Sequence, residues 1–444
     1  MKRFVSLLGL FAIAVLLLGG CAMRTVDQMY CLPKRSEEYN SVQSAIDREM
    51  ASLEYCAPLS GEHQQSVQMA DLTGDGVPEY ILFAKGSGDK PLRILVFRQT
   101  GDDYTLAWSI QSSGTAFEQV EYAQMDDRDG LEMVVGCQLS NQVLRSVSVY
   151  SFADGQDAKM LSVNYTRFLT YDLDGDALSE LLVLRPGQQE VDNGVAELYS
   201  FQQGQARRST EVAMSEPADQ IKRIVTGRLE DGPSAVFVAS LAGENAIITD
   251  VFSVIKGSFT NVSLSNESGT SVQTLRSYYV YADDIDEDGV VELPSLVAAV
   301  PSRTTDPEQQ YLVRWYAMTA SGAEVDKLFT YHNFADGWYL QLDADMASRV
   351  EVLREQEGSA AVSYSFYVWD DSYAQQDKVL TLYVLTGDDR EDEAARDNRF
   401  VVYSTDHTIY AARLEAAGAV QGLTSEEVGQ AFHLIHRDWK TGET

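Results

Sequence analysis

The turn Asp284-Ile-Asp286-Glu-Asp288-Gly289-Val290-Val-Glu292 constrains this chain more than any other stretch. Carboxylates stand at positions 1, 3, 5 and 9, so alternate residues can aim oxygens at one point. Gly289 at position 6 permits the positive φ that a tight wrap around a cation needs. The pattern recurs as Asp71-Leu-Thr73-Gly-Asp75-Gly76-Val77-Pro-Glu79 and as Asp172-Leu-Asp174-Gly-Asp176-Ala177-Leu178-Ser-Glu180. Thr73 stands where an acid is usual and Ala177 replaces the glycine, so these two turns should hold a cation more weakly. A chain that repeats such a turn repeats one supersecondary unit.

Each turn is flanked by β-rich runs. Residues 66–70 lead into the first turn, residues 79–83 lead out, and runs at 92–97 and 104–110 follow, giving four strands in about 50 residues. Two degraded copies fill the gaps. One is Met125-Asp-Asp127-Arg-Asp129-Gly130-Leu-Glu132, read as shortened between Gly130 and Glu132. The other is Arg228-Leu-Glu230-Asp231-Gly232, where Arg228 takes the place of the first ligand and excludes a metal. Anchors near 71, 126, 172, 228 and 284 give a period of about 50 residues. Four strands per period predict a mainly β fold, a β-propeller of about five four-stranded blades, with closure by six or seven as the alternative. An EF-hand would need a glutamate at position 12 and flanking helices. Position 12 is Leu82, Val183 or Ser295 in the three turns, and the flanks are strand-like, so that reading fails.

The sequence Asp-x-Asp-x-Asp-Gly-x-x-Glu followed by an apolar strand resembles the FG-GAP or VCBS repeats of integrin-type propellers and bacterial surface proteins. The resemblance covers roughly residues 63–332. It implies calcium held by positions 1, 3, 5 and 9 and the carbonyl of position 7. Carried over, the ligands are Asp71, Thr73, Asp75, the Val77 carbonyl and Glu79; Asp172, Asp174, Asp176, the Leu178 carbonyl and Glu180; and Asp284, Asp286, Asp288, the Val290 carbonyl and Glu292. Three structural Ca2+ sites are therefore expected.

At the N-terminus, Met1-Lys2-Arg3 and the apolar run from Phe4 to Leu18 have the form of a secretory signal. The run ends in Leu18-Gly19-Gly20-Cys21, which resembles a bacterial lipoprotein box and implies cleavage after residue 20, lipidation of Cys21 and a membrane anchor. Residues 21–35 read as a tether. Residues 36–62 supply a helix and lead-in, with Tyr39, Val42, Ile46, Met50 and Leu53 on one apolar face. Cys31 and Cys56 flank this helix and could bridge in an oxidising compartment, while Cys137 reads as a small buried hydrophobe. Residues 333–444 are expected to form a separate α+β domain. Its last helix starts at the capping box Thr424-Ser-Glu-Glu427 and buries Val428, Ala431, Phe432, Ile435 and Trp439.

With 34 basic against 67 acidic residues the formal charge is −33, which repels phosphate backbones and argues against nucleic-acid partners. No phosphate-binding glycine loop, nucleophile elbow or zinc-protease motif occurs. His433 and His436 lie three apart near the C-terminus and read as ordinary helix residues rather than metal ligands. The expectation is an extracytoplasmic binding protein of a bacterial envelope, presenting a surface to a protein or glycan. An envelope enzyme acting on polysaccharide, or a scaffold docking through residues 333–444, are the alternatives.

Overall fold

A computed structural model of the chain describes residues 37–435 apart from 140–143, 156, 188–192, 300–309, 358–359 and 371. The signal segment, Cys21, the tether, Cys31, His436 and Trp439 lie outside the described residues. The chain divides into two compact units. The first holds the residues up to Ala57 with Gln65–Ala70 and Val77–Ser113, and the second holds Pro58–Gln64, Asp71–Gly76 and everything from Gly114 onward.

In the first unit the helix Glu37–Glu49 forms where the apolar period predicts it. Val42, Ala45 and Ile46 are buried against Leu82, Leu95, Phe97 and Tyr104. The Ser41 hydroxyl donates to Asp103 Oδ1 (3.2 Å) and accepts from the Tyr104 N–H (3.1 Å), which fixes the helix to the start of a strand. That strand, Asp103–Ser112, closes an antiparallel sheet after Val67–Ala70, Glu79–Lys85 and Leu92–Thr100; Glu54–Tyr55 also pairs with Glu79–Lys85. Cys56 keeps a free, half-buried thiol, so the expected bridge to Cys31 is not among the described contacts.

The second unit contains five further antiparallel sheets. The second sheet of the chain is Ala116–Ala123, Glu132–Gln138, Arg145–Ser151 and Ala158–Tyr165. The third is Arg167–Tyr171, Glu180–Pro186, Gly194–Gln202 and Gln205–Arg208, with Val212–Ala213 added to the side of Gly194–Gln202. The fourth is Ile221–Arg228, Ser234–Ala242, Ala246–Ile255 and Ser258–Asn261. The fifth runs Glu292–Ala298, Tyr311–Met318, Glu324–Asn333, Trp338–Leu342 and Phe432–Leu434. The sixth runs Val350–Gln356, Ala361–Trp369, Gln376–Leu385, Ile409–Leu414 and Phe400–Ser404.

Central strands such as Glu132–Gln138 are buried on both faces, which is why they read as unbroken apolar runs rather than alternating ones. Neighbouring sheets share cores in chain order. Val134 and Val149 meet Leu181 and Val183; Leu182 and Leu198 meet Val236 and Phe252; Phe237 and Val251 meet Leu293 and Tyr316; Trp338 and Leu340 meet Phe366 and Leu382. Successive small antiparallel sheets packed face to face make a mainly β, propeller-like fold.

The boundary expected at residue 333 is crossed by the fifth sheet, because Trp338–Leu342 pairs with Glu324–Asn333 from Phe329↔Leu342 to Asn333↔Trp338. The strands beyond it form a sixth antiparallel sheet that shares its core with the fifth, so residues 333–444 are not set apart from the sheets before them. One register shift recurs among the sheets. It falls between Val96 and Phe97 in the first sheet, Val149 and Tyr150 in the second, Trp315 and Tyr316 in the fifth, and Phe366 and Tyr367 in the sixth. A bulge re-aims the strand at the same point in each. The capping box at Thr424 is present, but its helix ends at Ala431 after seven residues. Phe432–Leu434 then pairs with Trp338–Leu340, because these residues find an open strand edge.

Trp338 is fully buried between the fifth and sixth sheets. Trp338→Ala should cost about 3–5 kcal/mol and lower the main unfolding transition, read by circular dichroism. Cutting the chain after His332 should abolish cooperative folding. A truncated chain that melted like the full one would restore the separate-domain reading.

Candidate metal centre

Four of the sheets begin one strand with a buried glutamate at position 9 of the acidic turn. Glu79, Glu132, Glu180 and Glu292 are exposed by 4% or less. A backbone N–H from position 2 holds three of them: Met125 N to Glu132 Oε2 (2.9 Å), Leu173 N to Glu180 Oε2 (2.9 Å) and Ile285 N to Glu292 Oε2 (3.1 Å). The remaining Glu292 oxygen, Oε1, is buried without a hydrogen-bond partner among the described residues.

The position-1 aspartate staples each turn. Asp71 accepts from Gly74 N (2.8 Å) and Gly76 N (2.9 Å), Asp172 from Gly175 N (2.8 Å) and Ala177 N (3.0 Å), and Asp284 from Asp288 N (2.9 Å) and Gly289 N (2.8 Å). Position 6 takes positive φ in all three: 82° at Gly76, 72° at Ala177 and 82° at Gly289. Ala177 therefore adopts a conformation that glycine reaches without strain. The turns are also stitched to one another. Leu131 N donates to Asp71 O (2.9 Å), Ser179 N to Gln124 O (2.8 Å) and Val291 N to Arg228 O (3.1 Å), each joining position 8 of one turn to the preceding one.

Two turns gather carboxylates. Oxygens of Asp172, Asp174 and Glu180 lie within 4.8 Å of one another, as do those of Asp284, Asp286 and Glu292. Positions 1, 3 and 9 thus converge as expected, while Asp176 and Asp288 at position 5 stand outside the groups. Asp176 Oδ1 accepts from Leu178 N (2.8 Å) and Asp288 Oδ1 from Val290 N (2.7 Å). Asp288 Oδ2 is met by Lys327 Nζ (3.2 Å), which also binds Glu230 (2.7 Å). The first turn is divided between the two units, with Asp71, Thr73 and Asp75 in the second and Val77 and Glu79 in the first. Within the first unit Glu79 faces Arg98 at 3.7 Å.

The electrostatics of the two groups fit a hard cation. Burial, followed by the neighbouring aspartates, pushes Glu180 up to about 7 and Glu292 up to about 8. Burial and like charge also raise Asp174 and Asp286 above the usual carboxylate range. An all-oxygen donor set, crowded like charge and the orphaned Glu292 Oε1 are what an oxygen-seeking divalent ion relieves.

The other turns carry their own cation. Counted back from the Glu132–Met125 contact, position 1 of the second turn is Gln124, position 3 is Asp126 and position 5 is Arg128. The turn is full length, not shortened. The Arg128 guanidinium binds Asp126 Oδ2 (Nε 2.9 Å, Nη2 2.8 Å) and reaches Ser151 Oγ (2.9 Å). Burial raises Asp126, but the Arg128 and Gly204 donors outweigh it and hold the carboxyl below its ordinary range. In the fourth, Arg228 reaches forward to the carbonyls of Asp288 (3.1 Å) and Gly289 (3.3 Å).

A sixth turn escaped the sequence reading. Asp343-Ala-Asp345-Met-Ala-Ser-Arg349-Val-Glu351 keeps positions 1, 3 and 9 of the pattern. Asp343 Oδ1 accepts from Met346 N (2.7 Å), the bond that Asp71 and Asp172 make to position 4, and Glu351 is fully buried at the start of its strand. Here the turn has become the short helix Ala344–Arg349, and Arg349 pairs with Asp345. The signal was Asp-x-Asp followed by Glu six residues on.

No protein-family model and no curated protein matches the chain. Solved structures do. The exotype rhamnogalacturonan lyase YesX shares 14% identity over 74% of this chain and 65% of its own, with a TM-score of 0.28. The chain thus spans just under two thirds of that lyase. A protein from Lactobacillus plantarum shares 14% over 73% of this chain and 86% of its own, at 0.29. The rhamnogalacturonan lyase YesW shares 11% over 81% and 72%, at 0.29. The propeller-like assignment stands on sheet order, register and shared cores.

Two outcomes test this site. Ala177→Gly should stabilise the chain by about 0.5–1 kcal/mol in a urea titration, since relief of the left-handed strain exceeds the added freedom of the unfolded chain. For the metal-free chain, Glu180 and Glu292 bind more protons folded than unfolded between about 4.5, the ordinary glutamate value, and about 8. Stability in chelator should therefore fall as pH rises through that window. Added calcium should flatten the fall, as followed by melting temperature from pH 5 to 8.5.

Proposed function

We propose that this chain is an exported, lipid-anchored binding protein whose six-bladed propeller is of the FG-GAP/VCBS type and is held together by calcium. The observation that carries the reading is the pair of carboxylate groups at one register in two repeats, each closing the turn into a buried strand. Asp172, Asp174 and Glu180 would hold one ion with the Leu178 carbonyl, and Asp284, Asp286 and Glu292 the other with the Val290 carbonyl. Bound there, calcium supplies the positive charge that Arg128 and Arg349 supply in the second and sixth turns. Asp176 and Asp288 close their turns by accepting the position-7 N–H. With calcium about tenfold above its dissociation constant, each site would add about 1.4 kcal/mol of stability. A structural role for the ions leaves the propeller faces for ligand. Lipidated Cys21 would place those faces outside the cytoplasmic membrane of a bacterium, and a charge of −33 favours protein or glycan partners over nucleic acid.

Metal analysis of the purified chain should find two calcium ions per molecule, and one in Glu292→Gln. Chelator should lower the melting temperature by several degrees. Cys21→Ser should move the protein from the membrane to the soluble fraction of its native host. Absence of calcium together with a chelator-insensitive melt would remove the metal part of the reading, and an unchanged membrane fraction would remove the anchor.

A further inference from the structure

A cleft with a volume of about 950 Å³ opens between the second and third sheets, away from the acidic turns. One wall is the end of Ala158–Tyr165, and the other is the face of the third sheet that carries Arg185, Glu197 and Arg208. Its size falls within the range of small-molecule sites.

The polar groups there are fixed in advance. Glu197 is 2% exposed and sits between two guanidiniums, Arg185 and Arg208 (2.5 Å to Arg208), while the Tyr199 hydroxyl donates to its other oxygen (2.7 Å). Glu211 binds both arginines from the far side, at 2.7 and 3.0 Å. Arg145 faces Glu118 at 3.5 Å. The lining arginines Arg145, Arg185 and Arg208 meet the lining acids Glu197 and Asp219 and, behind them, the ion-pair partners Glu118 and Glu211, so three positive charges face four negative ones. Its arginines are thus committed as donors, not available as net charge. Tyr165, 6% exposed, adds part of its ring to the lining, while its hydroxyl is buried against Gly136. Val163, Pro186 and Pro217 add apolar surface beside these groups.

We propose that this cleft is a binding site for a neutral oligosaccharide. Planar guanidiniums held by carboxylates offer their remaining N–H groups in pairs, which suits vicinal sugar hydroxyls. The proline and valine surface suits the C–H face of a sugar ring. The excess of acid over arginine at the cleft and the strong negative charge of the chain both disfavour polyuronates. The inference rests on reading the chain as an extracytoplasmic binding protein, and it names the ligand class.

The test uses the full mature chain, fluorescently labelled, on an array of neutral and uronate-containing oligosaccharides, followed by calorimetric titration of the retained glycan. The expected result is retention of neutral glycans, with affinity reduced about tenfold by Arg208→Gln and several-fold by Arg145→Gln. Arg208 is nearly half exposed and Glu197 keeps Arg185 and Tyr199 without it, so Arg208→Gln should leave the melting temperature nearly unchanged and its loss of affinity is not a folding defect. Retention of no glycan, retention of uronates alone, or variants that bind as tightly as the unaltered chain would overturn the assignment. Chelator-dependent melting, measured on the same samples, fails or holds separately and so tells a wrong ligand site from a wrong calcium reading.

Discussion

A buried glutamate at the mouth of each acidic turn is the charge that the rest of this structure must accommodate. Glu132, Glu180, Glu292 and Glu351 all sit where a turn becomes a strand, almost out of water. A carboxylate in that position is costly unless donors or positive charge reach it. One backbone N–H from position 2 is common to the second, third and fifth turns, but it does not neutralise the neighbouring aspartates. The second turn sets Arg128 against Asp126 and the sixth sets Arg349 against Asp345, although burial still pushes Glu132 up to about 6. The third and fifth keep their acids clustered, and their glutamates respond by rising towards and above neutrality. Turns of one pattern thus take two forms, an internal guanidinium beside the acids or a group of clustered acids that could hold a cation.

The same turns also set how neighbouring sheets meet. The position-8 N–H of one turn donates to the turn before it at three junctions within the second unit, first to second, second to third and fourth to fifth. Those bonds fix the backbone where the shared cores begin, so that Leu181 and Val183 face Val134 and Val149 rather than sliding past them. A turn that opened under its own repulsion would loosen the sheet it starts and the junction behind it. Charge neutralisation in the turn and apolar packing between sheets are therefore one problem in this fold.

Much of this was legible in the sequence, and the failures have identifiable causes. The glycine or alanine at position 6 and the acids at 1, 3 and 9 were visible, and they gave the strand into and out of each turn. The second turn was misregistered because Gly130 was matched to position 6, whereas the Glu132–Met125 contact puts Arg128 at position 5. The sixth repeat was missed because Ala347, Ser348 and Arg349 replace the acid-glycine signature and convert the turn to helix. With that turn unseen, the strands after residue 333 looked like a new domain. Position 5 could not be judged from the turn alone, since the partner of Asp288 is Lys327, thirty-nine residues on and carried by a different strand. The terminal helix was overextended because its apolar face continues in Phe432 and Leu434, and only the open edge of Trp338–Leu342 turns those residues into a strand.

The fourth turn shows how loss and retention are linked. Arg228 occupies the position of a first ligand, so this turn can no longer gather acids around a cation. Its guanidinium instead donates to the carbonyls of Asp288 and Gly289, and its own carbonyl accepts from Val291. These contacts hold the backbone on both sides of Val290, position 7 of the fifth turn. Glu230 adds to this by sharing Lys327 with Asp288. The fourth turn thus gathers no acids of its own and braces the next one, and the turn with acids at positions 1, 3, 4, 5 and 9 lies where that brace is available.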